Sequence, residues 1–113
     1  MTEFEVLTEF DFHAAVAGSS GTALVLFGAP ACGACRRMEA VLPRAVAETG
    51  VRLFKVDVQA STALAREYEI FHLPALFLFR EGRYHAPLAC QPTPEAIRQA
   101  LAQALAQPAE EEP

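Results

Sequence analysis

The apolar positions change period several times along the chain, and each change marks an element. Glu3 to Leu7 alternates and predicts a short strand. Thr8 to Ala17 predicts a helix, with Phe12, Ala15 and Val16 on one face. Thr8-x-x-Asp11 approximates a capping box at its start, with Asp in the place of Glu or Gln. Gly18-Ser19-Ser20-Gly21 stops that helix. Thr22 to Gly28 is a continuous apolar, partly β-branched run, the pattern of a central parallel strand buried on both faces.

Ala29 to Cys32 reads as a turn, and Gly33 to Thr49 as a helix with Met38, Val41, Leu42, Ala45 and Val46 as its apolar stripe. Pro43 lies inside that helix and should kink it, and Gly50 is its expected stop. Val51 to Val58 alternates as a strand, with Val51 and Leu53 on one side and Arg52 and Phe54 on the other. Ser61 to Tyr68 predicts a short helix, Phe71 to Pro74 a loop, and Ala75 to Arg80 a strand. Glu81-Gly82 turns the chain into Arg83 to Leu88, an edge strand, since Pro87 is tolerated only at an edge. Thr93 as N-cap and Pro94 at the first helical position open a last helix, in which Ile97, Leu101 and Leu105 share a face and which Pro108 ends.

The order β-α-β-α-β-α-β-β-α predicts an α/β fold: a mixed sheet with helices on both faces, closed by an antiparallel hairpin. With 113 residues there is room for one core, so a single domain is expected over residues 1–107 and a tail over 108–113. Apolar residues make up 52% of the chain and charged residues 20%, which excludes wholesale disorder. The net charge of −5 disfavours a nucleic-acid module, which would carry a basic face. Glu110, Glu111 and Glu112 supply three of those charges, so the acidity reads as a solvated tail on a nearly neutral body. The longest apolar run, Ala23 to Phe27, is far below the roughly 18–20 residues of a membrane helix. The N-terminus has no basic region followed by an apolar segment, so a cytoplasmic location is the expectation.

Of the three cysteines, Cys32 and Cys35 form a C-x-x-C pair between a strand and a helix, and Cys90 stands alone. At a helix start, backbone N–H groups and the macrodipole favour a thiolate on Cys32. A three-residue helical step sets Cys35 beside it, one turn deeper and shielded. Cys32 then reads as the nucleophile and Cys35 as the resolving thiol of a disulfide exchange. Arg36 and Arg37 add positive charge nearby. Two alternatives stand beside this reading. In one, the pair is half of a zinc site, for which Cys90, His13, His72 and His85 are the remaining ligand types. In the other, the two are unrelated buried cysteines.

These stretches resemble the thioredoxin family. The resemblance is carried by Ala23-Leu-Val-Leu-Phe-Gly-Ala-Pro-Ala-Cys32-Gly-Ala-Cys35, by Phe54-Lys-Val-Asp57 and by Ile70-Phe-His-Leu-Pro74-Ala-Leu-Phe-Leu-Phe79-Arg-Glu-Gly82, and it covers about residues 5 to 106. It implies a thioredoxin-like fold with a mixed sheet of four to five strands flanked by four helices. It also implies dithiol–disulfide exchange with protein substrates, no metal or organic cofactor, and recycling by a reductase or glutathione. A monomer is expected. By the same resemblance Leu73–Pro74 is a cis peptide facing Cys32, with Leu73 backbone groups free to pair with a substrate strand. Ala31, Gly33, Ala34, Ala89 and Cys90 would complete the substrate surface.

The departures from the family carry information. Ala31 stands where the family usually has Trp, and Gly33-Ala34 where it has Gly-Pro. Leu26 occupies the place of the family's buried acid, which implies slower resolution by Cys35. Lys55 falls beside that missing acid and is expected to lack its partner. Glu39, one turn after Cys35, is either a substitute proton carrier or a solvated helix carboxylate. Pro43 falls about one turn later than the family's helix proline. Cys90 replaces a loop glycine, and it either takes part at the site or is an inert small residue. His72 borders the site and either tunes the thiolate or is a plain surface histidine. Phe10, Phe12, Phe27, Phe54, Phe77 and Phe79 read as core. The leading function is a thiol–disulfide oxidoreductase. The alternatives are a binding module or chaperone on the same fold with little redox turnover, and an oxidant or isomerase in an oxidising compartment.

Overall fold

The run Thr22–Gly28 forms the middle strand of a five-stranded sheet in the computed structural model, which describes residues 3–113. The elements in chain order are β1 (Phe4–Leu7), α1 (Phe12–Ala17), β2 (Thr22–Gly28), α2 (Gly33–Ala45), β3 (Arg52–Asp57), α3 (Thr62–Glu67), β4 (Ala75–Arg80), β5 (Arg83–Leu88) and α4 (Pro94–Leu105). The sheet order is β1-β3-β2-β4-β5. Strand β3 runs parallel to both β1 and β2, whereas β4 is antiparallel to β2 and to β5. The middle strand is therefore parallel on one side only.

Its alternate residues divide the core. Leu24 and Leu26 face an aliphatic cluster with Met38 and Leu42 of α2 and Ile97 and Leu101 of α4. Ala23, Val25 and Phe27 face an aromatic cluster with Phe12, Phe77, Phe79 and Tyr68, closed by α1 and α3. The Phe12 ring meets Tyr68 edge-on, with centroids 5.5 Å apart, the geometry that aromatic quadrupoles favour. The proline-bearing strand β5 is an edge, with Pro87 opposite Phe77. Thr93 caps α4, its hydroxyl accepting the Ala96 N–H at 3.2 Å, with Pro94 in the first turn.

Several boundaries differ from the sequence reading, each for a local reason. The first helix starts at Phe12, not Thr8. The Asp11 carboxylate accepts the Thr8 N–H at 2.6 Å, the reciprocal bond of the expected capping box, and the Thr8 hydroxyl at 3.2 Å, but residues 9–11 form a turn before the regular helix begins. Phe10, expected in the core, sits in that turn and is 91% exposed. Helix α2 stops at Ala45, short of Thr49. Pro43 has no N–H to give, and Glu48 follows at φ 63°, so the chain leaves the helix before Gly50 at φ 80°. Strand β3 buries both Leu53 and Phe54, since it lies inside the sheet and both of its faces are covered.

The acidic tail is not free in solvent. His85 Nε2 lies 2.7 Å from the Ala104 carbonyl, fixing the end of α4 on β5. From there the Glu110 N–H donates to the His85 carbonyl at 2.7 Å, and the Tyr68 hydroxyl donates to Glu112 Oε2 at 2.6 Å. The tail side chains stay exposed, but the segment is anchored at two points.

Candidate active site

The chain leaves β2 at Gly28, and the Cys32 N–H turns back to the Ala29 carbonyl at 3.2 Å. Cys32 is the extended N-cap of α2, with φ −92° and ψ 107°. Its sulfur accepts the Cys35 N–H at 3.1 Å, so a helix-start donor that would otherwise be unpaired points at the thiol position. Cys32 and Cys35 are joined as a disulfide, with Cα atoms 5.2 Å apart. Cys32 is half-buried, whereas Cys35 is 5% exposed. Cys32 is therefore the more exposed residue of the pair.

Cys35 is seated against Gly28. A Cβ on Gly28 would stand 3.1 Å from Cys35 Cβ and 3.2 Å from its Sγ. The sequence offered only one sign of this packing, a glycine closing an otherwise bulky strand. The Val58 N–H donates to the Gly28 carbonyl at 2.9 Å and ties the end of β3 to the same place.

Behind Cys35 lies a cleft of about 310 Å³ lined by Leu26, Gly28, Glu39, Lys55 and Asp57 among others. Lys55 is not without a partner: its Nζ donates to Glu39 Oε2 at 3.1 Å. Glu39 is one helical turn beyond Cys35, so α2 presents both to the cleft. Both side chains are part-exposed, so the pair itself is worth no more than about 1 kcal/mol. Its importance is positional, as it fixes the Glu39 carboxylate in the cleft that Cys35 also lines. Leu26 is 2% exposed and gives that cleft an apolar wall. Arg36 lines the cleft and is exposed, and Arg37 Nη1 would lie 3.8 Å from a Cβ on Gly33. Asp57 is a cleft residue that the sequence reading quoted only as part of a motif.

The register Phe27↔Ala75 sets Pro74 at the end of the sheet where β2 gives way to the cysteine turn. The Leu73–Pro74 peptide is cis. Leu73 and Pro74 are half-buried and His72 is exposed. Phe71, not singled out by the sequence, is 84% exposed on this loop. The register Leu76↔Leu88 brings the loop after β5 to the same end, with Ala89 exposed and Cys90 half-buried. Ala31 and Gly33 are exposed and Ala34 half-buried around Cys32. Cys90 packs against the aliphatic cluster, and burial pushes its thiol up, away from thiolate. His85 serves the end of α4, and His13 pairs with Glu67 at 3.0 Å.

The thioredoxin family model matches residues 3–103. The chain is 38% identical over 80 residues to a thioredoxin of Mycolicibacterium smegmatis, covering 67% of this chain and 71% of that one. It is 34% identical over 80 residues to a thioredoxin of Chlamydia trachomatis, covering 70% and 76%. In fold it is similar to human ERp44 in its zinc-bound form, with a TM-score of 0.76 at 23% identity, over 89% of this chain and 31% of that one. It is equally similar to a chain described under the thiol resolving mechanism of yeast mitochondrial 1-Cys peroxiredoxin, with a TM-score of 0.76 at 23% identity over 89% and 95%. These two structural likenesses concern the fold alone. A helix-start disulfide with its first cysteine the more exposed suits thiol–disulfide exchange, and with the match over residues 3–103 it follows that the chain belongs to the thioredoxin family, whose general chemistry is thiol–disulfide oxidoreduction.

Proposed function

We propose that the protein reduces disulfides of extended protein substrates, with Cys32 as nucleophile and Cys35 as resolving thiol. The observation that carries this is the asymmetry of the pair: Cys32 is part-exposed and its sulfur is hydrogen-bonded by the Cys35 N–H, while Cys35 is buried. In the reduced protein the Cys32 thiolate attacks a substrate sulfur. A mixed disulfide forms and one substrate thiolate leaves. Cys35 gives up its proton and attacks Cys32 Sγ. The Cys32–Cys35 disulfide forms and the second substrate thiolate leaves, so two electrons pass to the substrate. A reductase or glutathione returns them.

The Cys35 proton goes into the cleft, where Glu39, held by Lys55, accepts it directly or through a water. Leu73 and Pro74 take the substrate backbone, with Ala31, Gly33, Ala34, Ala89 and Cys90 around them and His72 at the border. Arg36 adds positive charge. The proposal places the protein in the cytoplasm as a monomer. No helix of the described residues is long and apolar enough to cross a membrane.

The test is trapping. Reduced Cys35→Ser protein should accumulate a one-to-one mixed disulfide with a disulfide peptide, located at Cys32 by mass spectrometry, and Cys32→Ser should form none. A wild type that binds such a peptide without reducing it would instead make the chain a binding module. The apolar Leu26 wall beside Cys35 favours that second reading.

A further inference from the structure

Away from the disulfide, a groove of about 450 Å³ opens between α1, Tyr68 just after α3, and the β4–β5 hairpin. The buried Phe12, Val16 and Phe79 form its apolar floor, Tyr84, His13 and Arg83 line it, and the chain's own Glu112, still exposed, lies at its rim. The Tyr68 ring is 2% exposed, yet its hydroxyl donates to Glu112 Oε2 at 2.6 Å. Burial and the neighbouring carboxylate push the phenol's pKa far up, so it remains a donor throughout the working pH range. Two residues earlier the Glu110 N–H donates to the His85 carbonyl, on the edge strand β5. Main-chain pairing to a sheet edge together with a side-chain pocket is how extended peptides are held. The tail contributes no residue to either core cluster, in which the last member is Leu105, so it is a ligand of the fold and not part of its core.

We propose that the β5 edge and the Tyr68 groove form a docking surface for an acidic, extended segment, occupied in the resting chain by its own Glu110–Glu112. The surface recognises a carboxylate two residues beyond a free main-chain N–H. It is closed to other acidic segments while the tail is seated, because a short tether holds its ligand at millimolar effective concentration.

The test uses the labelled hexapeptide Pro-Ala-Glu-Glu-Glu-Pro, the sequence of residues 108–113, read by fluorescence anisotropy. A chain ending at Gln107 keeps every helix and strand and both clusters. It should bind the peptide saturably, and the full chain should bind it at least about tenfold more weakly, the tethered tail being the competitor. The peptide carrying Glu112→Gln should lose that binding. A second readout needs no truncation. The chain has no Trp and two Tyr, so its emission comes from tyrosine, and a carboxylate-bonded phenol is quenched. Glu112→Gln in the full chain should raise that emission, and Tyr68→Phe should abolish the rise. Absent saturation on the truncated chain at about 2 mM peptide, or equal binding to both chains, overturns the proposal. So does unchanged emission in Glu112→Gln. A concentration-dependent dimer that disappears on truncation overturns it in favour of tail exchange between two copies.

Discussion

Gly28 and Cys35 are in contact through the space where Gly28 lacks a side chain, and a Cβ there would meet Cys35 Cβ at 3.1 Å and Sγ at 3.2 Å. Gly28 ends β2 and Cys35 sits in the first turn of α2, so the contact sets how closely the buried thiol approaches the sheet. Gly28→Ala should displace Cys35 and lower stability by about 1–3 kcal/mol, the cost of overpacking a tight interior contact. Urea unfolding measures the loss. The rate of mixed-disulfide resolution should fall in the same variant, while the attack by Cys32 changes less.

Glu39 bears on the same resolution step, through the Cys35 proton. If it accepts the Cys35 proton, Glu39→Gln should slow resolution about tenfold near pH 7, the low end of what a proton acceptor contributes. The first attack should be unaffected, and the deficit should shrink as rising pH supplies hydroxide. Stopped-flow decay of the mixed disulfide across pH checks this. A merely structural Glu39 would lower the rate by the same factor at every pH. Lys55→Met should reproduce part of the effect by releasing the carboxylate.

The two phenylalanines near the chain start should behave oppositely. Phe12 is fully buried in the aromatic cluster, and Phe12→Ala should cost about 3–5 kcal/mol. Phe10 is 91% exposed, and Phe10→Ala should stay within about 0.5 kcal/mol of wild type. Chemical denaturation of both variants decides it.

Alkaline stability follows from the tyrosines. Burial pushes Tyr84 up to about 12, and Tyr68 is raised further by burial and Glu112. A raised folded pKa means that the unfolded chain loses its protons first. Stability from these groups is therefore intact below about pH 10, the ordinary tyrosine value, and declines as pH rises from there. The urea midpoint should fall between about pH 10 and 12, and Tyr84→Phe should flatten that fall.

Much of this was legible in the sequence, because period and chemistry agreed locally. Thr22–Gly28 announced a doubly buried strand, Thr93-Pro94 a helix start, and Pro87 an edge. The Cys32/Cys35 arrangement followed from a strand giving way to a helix. The failures are tertiary. Phe10 was placed in the core because it is a phenylalanine beside a helix start, yet it sits in the turn before Phe12 and no other element covers it. The partner of Lys55 was missed because Glu39 is 16 residues away, on another element. The tail looked like plain solvated charge because its anchors, Tyr68 and His85, are 44 and 25 residues distant in the chain. The parallel and antiparallel sides of β2 likewise depend on connections that no local pattern encodes.

The central claim is that the Cys32–Cys35 pair works as a reductant. Its reduction potential, titrated against a defined thiol buffer with alkylation and mass readout, tests this most directly. The account predicts a value near or below about −250 mV, in the range of cytosolic reductants. A value above about −200 mV, or a pair that never closes in the titration, would contradict it.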